Sequence, residues 1–497
     1  MAKAVLEIVK APRATTGASG RVLLVSNRLP LAATGPRGVA RPSSGGLVAG
    51  LRQVARRWPA VWLGWDGQAR PEASPELVRP WERGSLVALA MSEAEVAGFY
   101  RRYCNGLLWP VLHGRIGEVP QDADDWQTYQ TLNRRFADAV LRQLRPGDRV
   151  WVHDYHLMLL PALLRERTDV PIGFFLHTAF PEPEVYRTIP QAQALLQGLL
   201  SADVIGFHTE LYAANFLRTA TAFGYTLQGS TVQSERPARV QVHPMGIDVD
   251  AFAALARDPD VLDDAAGIRR EHGRMLLGVD RLDYTKGIPQ RLLAFEMLLE
   301  KYPRLRGAVS FFQLAVPSRE ELSAYRDLRQ VVEDLVRRIN DRFSRPGWLP
   351  VDYLYGSVDL GSLAALYRAA DVMVVTPIRD GLNLVAKEFV ATRTDGDGVL
   401  VLSRFAGAAD ELDAALQVDP NRIAALAETY RLALTMPGGE RRRRMRALRR
   451  AIAGNTIVDW ATEFLESLSA RRISGAGLVP RAQPRVAPGR MLTPATV

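Results

Sequence analysis

Short runs of apolar and β-branched residues alternate with longer amphipathic stretches along most of this chain. Examples of the short runs are 21–27 (RVLLVSN), 149–153 (RVWVH), 274–280 (RMLLGVD) and 371–376 (DVMVVT). This alternation is typical of β-α-β units, in which helices cover both faces of a parallel sheet. The pattern therefore predicts an α/β fold built from doubly wound parallel sheets.

The length of 497 residues exceeds what one hydrophobic core usually serves, so we expect two domains. We place their boundary after the strand and turn at 243–247. This gives Rossmann-like domains at 21–247 and 248–455. We expect the segment 456–472 to be a helix that crosses back to the first domain.

The two ends of the chain, residues 1–20 and 473–497, are predicted to be disordered tails. Cys104 is the single cysteine, which rules out an intrachain disulfide and fits a reducing compartment. No apolar run reaches about 18 residues, and the N-terminus lacks the order of features that marks a signal peptide. We therefore expect a cytoplasmic protein with no membrane partner.

The net charge of +9 raises the question of a nucleic-acid partner. Its arginines cluster in the C-terminal tail and at 441–450, on a predicted surface helix, with no aromatic residues between them. Nucleic-acid platforms usually combine both residue types. We therefore expect a solvated arginine face, no nucleic-acid partner, and small anionic substrates.

Two doubly wound domains leave a cleft at the carboxyl ends of their strands. The strand at 371–376 leads to Asp380 and Gly381, where a glycine lets a ligand approach the backbone and the N–H groups of 382–385 are positioned to hold a diphosphate. Asp380 would accept hydrogen bonds from a sugar, and Glu388 lies about 12 Å further along the helix, at the ribose of a sugar nucleotide. The alternative is a helix-capping aspartate followed by an ordinary helical glutamate.

A second phosphate site is predicted after the strand at 274–280. Arg281 ends that strand and Lys286 precedes the next helix, so both cations can converge on one diphosphate. The alternative is that they form ion pairs with Asp280 or Asp283.

Polar residues also end strands in the first half of the chain. Arg28 follows the first strand, Gly45 and Gly46 form a loop that opens a helix, Asp154 follows 149–153, and His177 ends the next strand. These positions suit an acceptor site, although a histidine on an apolar strand is often a core residue.

Tyr100 and Trp109 either pack in the core or line a sugar pocket. Asp122 and Asp124 match a metal-binding D-x-D pattern, but they precede an amphipathic helix and follow no strand, so we expect helix capping. We predict no metal and no cofactor, because cationic side chains can take the place of a metal on a diphosphate.

With these motifs the chain resembles the trehalose-6-phosphate synthase family. The matching stretches, in family order, are VSNR (25–28), GGL (45–47), LLWP (107–110), HDYHL (153–157), GFFLH (173–177), RLDYTKG (281–287), RDGLNLVAKE (379–388) and VLVLSRFAGAADEL (399–412). The resemblance implies a GT-B fold with two Rossmann-like domains facing a central cleft. It implies transfer of glucose from UDP-, GDP- or ADP-glucose to glucose 6-phosphate, with retention, giving α,α-trehalose 6-phosphate. We also expect a homo-oligomer, either a dimer or a tetramer.

The resemblance also implies roles for individual residues. On the donor side, in the C-terminal domain and at the glycine loop, it assigns Gly45, Gly46, Arg281, Lys286, Val358, Asp380, Gly381, Leu382, Asn383, Leu384, Val385 and Glu388. On the acceptor side it assigns Arg28, Tyr100, Trp109 and Asp154 in the N-terminal domain, and Arg319 in the C-terminal domain. The residues it places at the reacting centre are His177, Arg281, Lys286 and Asp380.

One departure concerns the acceptor. The family commonly has Ile-Pro-Phe-Pro after the histidine, and here Thr178 and Ala179 begin that stretch. Related glucosylglycerol-phosphate synthases also carry threonine there, but they tend to lack the Ser-Asn-Arg and Gly-Gly-Leu elements found here. We favour glucose 6-phosphate over glycerol 3-phosphate; a catalytically silent sugar-phosphate sensor is the alternative from another class.

Overall fold

The computed structural model describes residues 20–34, 39–42, 46–71, 76–120 and 124–469. The strands are β1 (Val22–Arg28), β2 (Leu31–Thr34), β3 (Val39–Pro42), β4 (Ala60–Ala69), β5 (Leu77–Trp81), β6 (Gly84–Met91), β7 (Arg149–His153), β8 (Ile172–Phe175), β9 (Val204–Phe207), β10 (Thr226–Gln228), β11 (Thr231–Gln233), β12 (Ala238–Val242), β13 (Arg274–Arg281), β14 (Val309–Val316), β15 (Val351–Tyr355), β16 (Val372–Val375), β17 (Val399–Ser403) and β18 (Leu416–Val418).

The α-helices alternate with these strands. They are α1 (Gly46–Arg57), α2 (Glu93–Glu95), α3 (Trp109–Leu112), α4 (Trp126–Gln143), α5 (Leu160–Arg165), α6 (Pro183–Tyr186), α7 (Ala192–Leu200), α8 (Glu210–Ala222), α9 (Val249–Leu255), α10 (Pro259–His272), α11 (Ile288–Lys301), α12 (Ser323–Phe343), α13 (Leu360–Ala369), α14 (Leu384–Thr392), α15 (Ile423–Thr435), α16 (Gly438–Ala453) and α17 (Ile457–Ser469). A π-helix, Val96–Leu108, connects α2 to α3. In the described ranges no helix combines the length and the apolar character needed to cross a membrane.

The first sheet has ten strands in the order β10-β11-β12-β9-β8-β7-β1-β4-β6-β5. The seven strands from β12 to β6 run parallel, and antiparallel hairpins add the outer strands at both edges. Residues 22–27 of β1 are buried, as expected for a parallel strand covered on both faces. The chain reverses its direction of winding between β1 and β7, so their carboxyl ends flank a crevice.

The second sheet has six parallel strands in the order β15-β14-β13-β16-β17-β18. Here the winding reverses between β13 and β16. Ligands of open α/β sheets bind at such a reversal, outside the carboxyl ends of the strands. The predicted donor motifs follow these two strands, so the topology places them at the crevice.

The helix α17 packs against the first sheet. The rings of Trp460 and Phe464 lie 4.8 and 4.6 Å from the ring of Trp151 on β7. Arg149 of the same strand donates hydrogen bonds to the carbonyl of Leu465 and to the hydroxyl of Ser469, at 3.3 and 2.6 Å. The last helix therefore joins the N-terminal domain, and the chain passes between the domains twice.

Candidate active site

Lys286 and Asp380 form an ion pair between the loops that follow β13 and β16. Lys286 Nζ lies 2.6 Å from Asp380 Oδ2, and the side-chain amide of Asn383 donates to the same oxygen at 3.0 Å. Burial raises the pKa of Asp380, but the charge and hydrogen bond of Lys286 and the bond from Asn383 outweigh it and hold that pKa below its ordinary value. Asp380 is therefore ionised at neutral pH. The alternative pairing of Lys286 with Asp280 or Asp283 is not the one formed.

The helix after this loop, α14, begins at Leu384. Asn383 is its N-cap residue, with φ at +81°, and its side chain accepts from the N–H of Ala386 at 3.3 Å. Leu382 is buried in the core, while Leu384 and Val385 are half-buried. The capping bond to Ala386 leaves the earlier N–H groups of this turn available to an anion.

Gly381 is a point of close contact between the two domains. A Cβ atom on this glycine would overlap the carbonyl oxygen of His177. On the neighbouring residue, the hydroxyl of Tyr212 in α8 donates to the carbonyl of Asp380 at 3.0 Å. The donor loop is thus held directly against the N-terminal domain.

Glu388 lies on α14 and accepts a hydrogen bond from the hydroxyl of Tyr367 at 3.0 Å. Burial raises the pKa of Glu388 to about 7, although the bond from Tyr367 opposes the shift. Val358, the residue expected at the nucleobase, lies half-buried in the loop between β15 and α13.

Arg319 reaches from the C-terminal domain into the N-terminal one. Its guanidinium lies 4.0 Å from the centre of the Trp109 ring, pairs with Asp283 at 3.1 Å, and donates to the hydroxyl of Tyr155 at 3.2 Å. It also bonds to the hydroxyl of Tyr325. Arg319 Nε has no partner among the described residues. The predicted acceptor arginine and tryptophan are therefore in direct contact.

Asp283 is fully buried beneath these cations. Burial opposes its charge, but Arg319, Arg281 and Lys286 together hold the pKa of Asp283 well below its usual value. Arg281 itself is exposed, and its guanidinium lies 5.5 Å from the Trp109 ring. Arg281 therefore extends into the cleft without an ion pair of its own among the described residues.

Asp154 has a strained backbone at the end of β7. Its φ of +73° and ψ of 168° fall in a region that is almost restricted to glycine. Its carboxylate accepts the N–H of His177 at 3.3 Å. Burial raises the pKa of Asp154 to about 6, against the effect of that N–H and of Arg281 and Arg319. Strain of this kind is often found at functional sites.

The remaining acceptor candidates line the same end of the first sheet. Arg28, exposed at the end of β1, lies 4.5 Å from the Trp65 ring. Tyr100, on the π-helix, stacks on His156 with ring centres 6.0 Å apart and meets the Trp65 ring edge-on at 5.9 Å. The glycine loop is described only in part, because Gly46 opens α1 and Gly45 lies outside the described residues.

His177 is the middle member of a chain of three histidines. Its Nε2 lies 3.1 Å from Nδ1 of His153, and its Nδ1 lies 3.2 Å from Nε2 of His208. Burial, followed by the neighbouring ring, lowers the pKa of His177 well below its ordinary value. Both ring nitrogens therefore have histidine partners. The backbone carbonyl of His177, and not its ring, contacts the donor loop at Gly381.

Sequence reasoning missed several residues of the site. They are recognisable through their contacts: His113, His153, Tyr155, His208, Asp283 as the partner of Arg319, Tyr325 and Tyr367. The HDYHL and LLWP stretches contain Asp154 and Trp109. The same stretches contain or adjoin His153, Tyr155 and His113.

Three further predictions concern regions away from the cleft. Asp124 accepts hydrogen bonds from Gln191, and the N-cap position of α4 is Asp125, so capping by Asp124 is wrong; Asp122 lies outside the described residues. The tails also lie outside them, except for Gly20.

In α16, Arg441 pairs with Asp397 at 2.6 Å, and other arginines of the helix bind Glu440 and backbone carbonyls.

Two parallel α/β sheets whose strand ends face one cleft, with cations and helix termini gathered there, define a GT-B type glycosyltransferase fold. The profile of glycosyltransferase family 20 matches residues 20–470. The chain belongs to this family.

Named relatives fall in the same group. The chain is 40% identical over 464 residues to the bifunctional trehalose-6-phosphate synthase/phosphatase of Thermoproteus tenax, covering 90% of this chain and 63% of that protein. It is 40% identical over 464 residues to the UDP-forming α,α-trehalose-phosphate synthase 2 of Aspergillus niger, covering 90% and 97%. The chain thus spans less than two thirds of the first relative's length.

Solved structures agree with the fold. The trehalose-6-phosphate synthase of E. coli bound with UDP-2-fluoro glucose superimposes with a TM-score of 0.85 at 35% identity, over 91% of this chain and all of the other. The UDP-forming α,α-trehalose-phosphate synthase of Burkholderia xenovorans in complex with glucose-6-phosphate gives 0.85 at 34% identity, with the same coverage.

Proposed function

We propose that this protein transfers glucose from UDP-glucose to glucose 6-phosphate and forms α,α-trehalose 6-phosphate with retention of configuration. The observation that carries the proposal is the contact of Arg319 with Trp109 and Tyr155, beside the Lys286–Asp380 pair. It brings a candidate phosphate-binding cation and a sugar-lining ring next to a diphosphate site in one cleft. The names of the relatives and the ligands of the neighbouring structures support both substrates.

The donor half of the reaction rests on Arg281, Lys286 and Asp380. Arg281 and Lys286 neutralise the diphosphate as the glycosidic bond breaks, because their charges lie where negative charge develops. Asp380, ionised at neutral pH, accepts hydrogen bonds from the hydroxyls of the transferred sugar. Glu388 accepts from the ribose, and the N–H groups at the start of α14 bind phosphate oxygens.

The acceptor half rests on Arg28 and Arg319 at the phosphate, with Asp154 and Tyr100 at the sugar. Arg319 is already fixed by Asp283 and by its stacking on Trp109, so little ordering remains when substrate binds.

The proposed retention needs no nucleophile from the protein. Asp380 is already engaged by Lys286 and Asn383, which makes it a poor nucleophile. The acceptor hydroxyl then attacks from the face that the diphosphate leaves, and a phosphate oxygen takes its proton. The protein contributes positioning and electrostatic stabilisation.

One assay tests the proposal. The purified chain is incubated with UDP-, GDP- or ADP-glucose against glucose 6-phosphate or glycerol 3-phosphate, and nucleotide release and product configuration are measured. We expect UDP release only with glucose 6-phosphate, and an α,α-linked product by proton NMR. A product formed only from glycerol 3-phosphate would favour the glucosylglycerol-phosphate reaction. Binding of sugar phosphate without any transfer would indicate a sensor.

A further inference from the structure

His113 immediately follows α3 and is almost completely buried. Its Nδ1 lies 2.8 Å from the carbonyl oxygen of Trp109. A carbonyl oxygen can only accept a hydrogen bond, so Nδ1 carries the ring proton. In the neutral imidazole, Nε2 is therefore an unprotonated hydrogen-bond acceptor.

The surroundings of His113 are those of the donor and acceptor sites. Its ring centre lies 4.1 Å from that of Trp109, on which Arg319 stacks. The next residue, Gly114, has a φ of +72°, and a Cβ there would lie 3.2 Å from Nη1 of Arg379, the residue before Asp380. His113 is therefore held between the predicted acceptor ring and the donor loop.

Three charged groups act on the imidazole, and all belong to the cleft. They are the carboxylates of Asp283 and Asp380 and the ammonium group of Lys286. Nε2 makes no hydrogen bond to a described residue, yet it is not among the enclosed polar atoms without partners, as Nε2 of His153 is. It is thus an unused acceptor that remains open to the cleft.

We propose that Nε2 of His113 accepts a hydrogen bond from a hydroxyl of the hexose that Asp380 holds. This inference rests on the proposed transferase function and names a further sugar-binding residue for it. An unprotonated nitrogen has no proton to offer a phosphate oxygen, so the diphosphate and the sugar phosphate group are excluded as its partners. A hydroxyl supplies the proton that Nε2 lacks.

His113 does not act as a general base. Burial lowers its pKa to about 4, although the bond to the Trp109 carbonyl opposes the shift. At pH 7 such a group holds a proton in only about one molecule in a thousand, far from the match to ambient pH that favours proton transfer. Its role is to orient the sugar.

The test compares the wild type with His113→Phe, which keeps a ring against Trp109 but removes the acceptor. The donors are UDP-glucose and UDP-deoxyglucoses that each lack one hydroxyl. We expect His113→Phe to lower kcat/KM for UDP-glucose roughly tenfold to a hundredfold. The kcat/KM of the wild type should fall by the same factor when one particular deoxy donor replaces UDP-glucose. The kcat/KM of the variant should be the same with that deoxy donor as with UDP-glucose.

Equal losses on every deoxy donor, or no loss on UDP-glucose, would overturn the proposal. The affinities of UDP-glucose and of UDP are measured by calorimetry without an acceptor. They report on the role of His113 even if the protein does not catalyse the proposed transfer. We expect His113→Phe to weaken UDP-glucose and to leave UDP unchanged, whereas weakening of both would show a structural role only. His113→Gln provides a second variant with an acceptor oxygen if the phenylalanine variant does not fold.

Discussion

The α-carbon of Gly381 faces the carbonyl oxygen of His177 so closely that a methyl group on the glycine would overlap it. Because the two residues belong to different domains, Gly381→Ala should hold the cleft open. A displacement of this order at reacting groups costs roughly a hundredfold in rate. We expect kcat to fall by about that factor, measured by UDP release at saturating substrates.

Gly439→Ala is the matched control for this change. Gly439 lies in α16, and no atom is near the position of the added methyl group. Its activity and thermal unfolding should equal those of the wild type. Wild-type turnover in Gly381→Ala would show that the contact between Gly381 and His177 does not control closure.

Lys286→Ala should abolish most of the activity while leaving the fold intact. The substitution removes a cation from the diphosphate and leaves the buried carboxylate of Asp380 without its partner. We expect kcat/KM for the donor to fall roughly a hundredfold to a thousandfold. Lys301→Ala, which changes an exposed lysine at the end of α11, should have no effect. Near-normal turnover of Lys286→Ala would reject its role at the donor.

The sequence predicts most of the parallel strands of both sheets, because they are apolar runs between turns, but it misses the parallel strands β6 and β18. It misses the edge hairpins: β5 is largely exposed and contains a proline, and β10 and β11 have three residues each. Such strands are recognised by their hydrogen bonds to a neighbouring strand. They have too few residues to show the alternation of apolar and polar residues that marks a strand in the sequence.

The candidate site shows a similar division. Motifs identify Lys286 and Asp380, but their pairing depends on how two loops meet across a sheet reversal. Nothing local to Asp283 indicates that it binds Arg319, which lies 36 residues away on the next loop. The positive φ of Asp154 and of Arg319 is likewise not indicated by any local sequence pattern.

Arg319→Ala should act mainly on the sugar phosphate. The substitution removes a phosphate-binding cation and leaves Asp283 unpaired at a fully buried position. We expect the KM for glucose 6-phosphate to rise at least tenfold, with a smaller change in the KM for UDP-glucose. Arg329→Ala is a matched control, because Arg329 also stacks at 4.0 Å, on Tyr355 at the surface. An unchanged acceptor KM would exclude Arg319 from the acceptor site.

Glu388 should make donor affinity depend on pH near neutrality. Its pKa of about 7 means that the free protein holds the carboxyl partly protonated, and the ionised form is the better acceptor for ribose hydroxyls. The KM for UDP-glucose should therefore fall as pH rises from 6 to 8. Tyr367→Phe removes the hydrogen bond that favours ionisation, so the midpoint should move to higher pH. A midpoint that does not move would separate Tyr367 from this titration.

The buried histidines should make the fold sensitive to acid. Burial lowers the pKa of six histidines, which are His113, His153, His156, His177, His208 and His243. A histidine in the unfolded chain has a pKa near 6.5, so below that pH the unfolded chain binds more protons than the folded one. The free energy of unfolding therefore falls with falling pH until the folded pKa is reached. The slope is at most about 1.4 kcal/mol per pH unit for each histidine. Five carboxyl groups with raised pKa values act in the opposite direction, but the six histidines outnumber them; the five are Asp154, Asp280, Asp352, Glu388 and Asp410. The free energy of unfolding, measured in urea, should therefore fall by several kcal/mol between pH 7.5 and pH 5. The fall should be smaller in His113→Phe. Equal free energies at the two pH values would show that these rings are not buried in the neutral form.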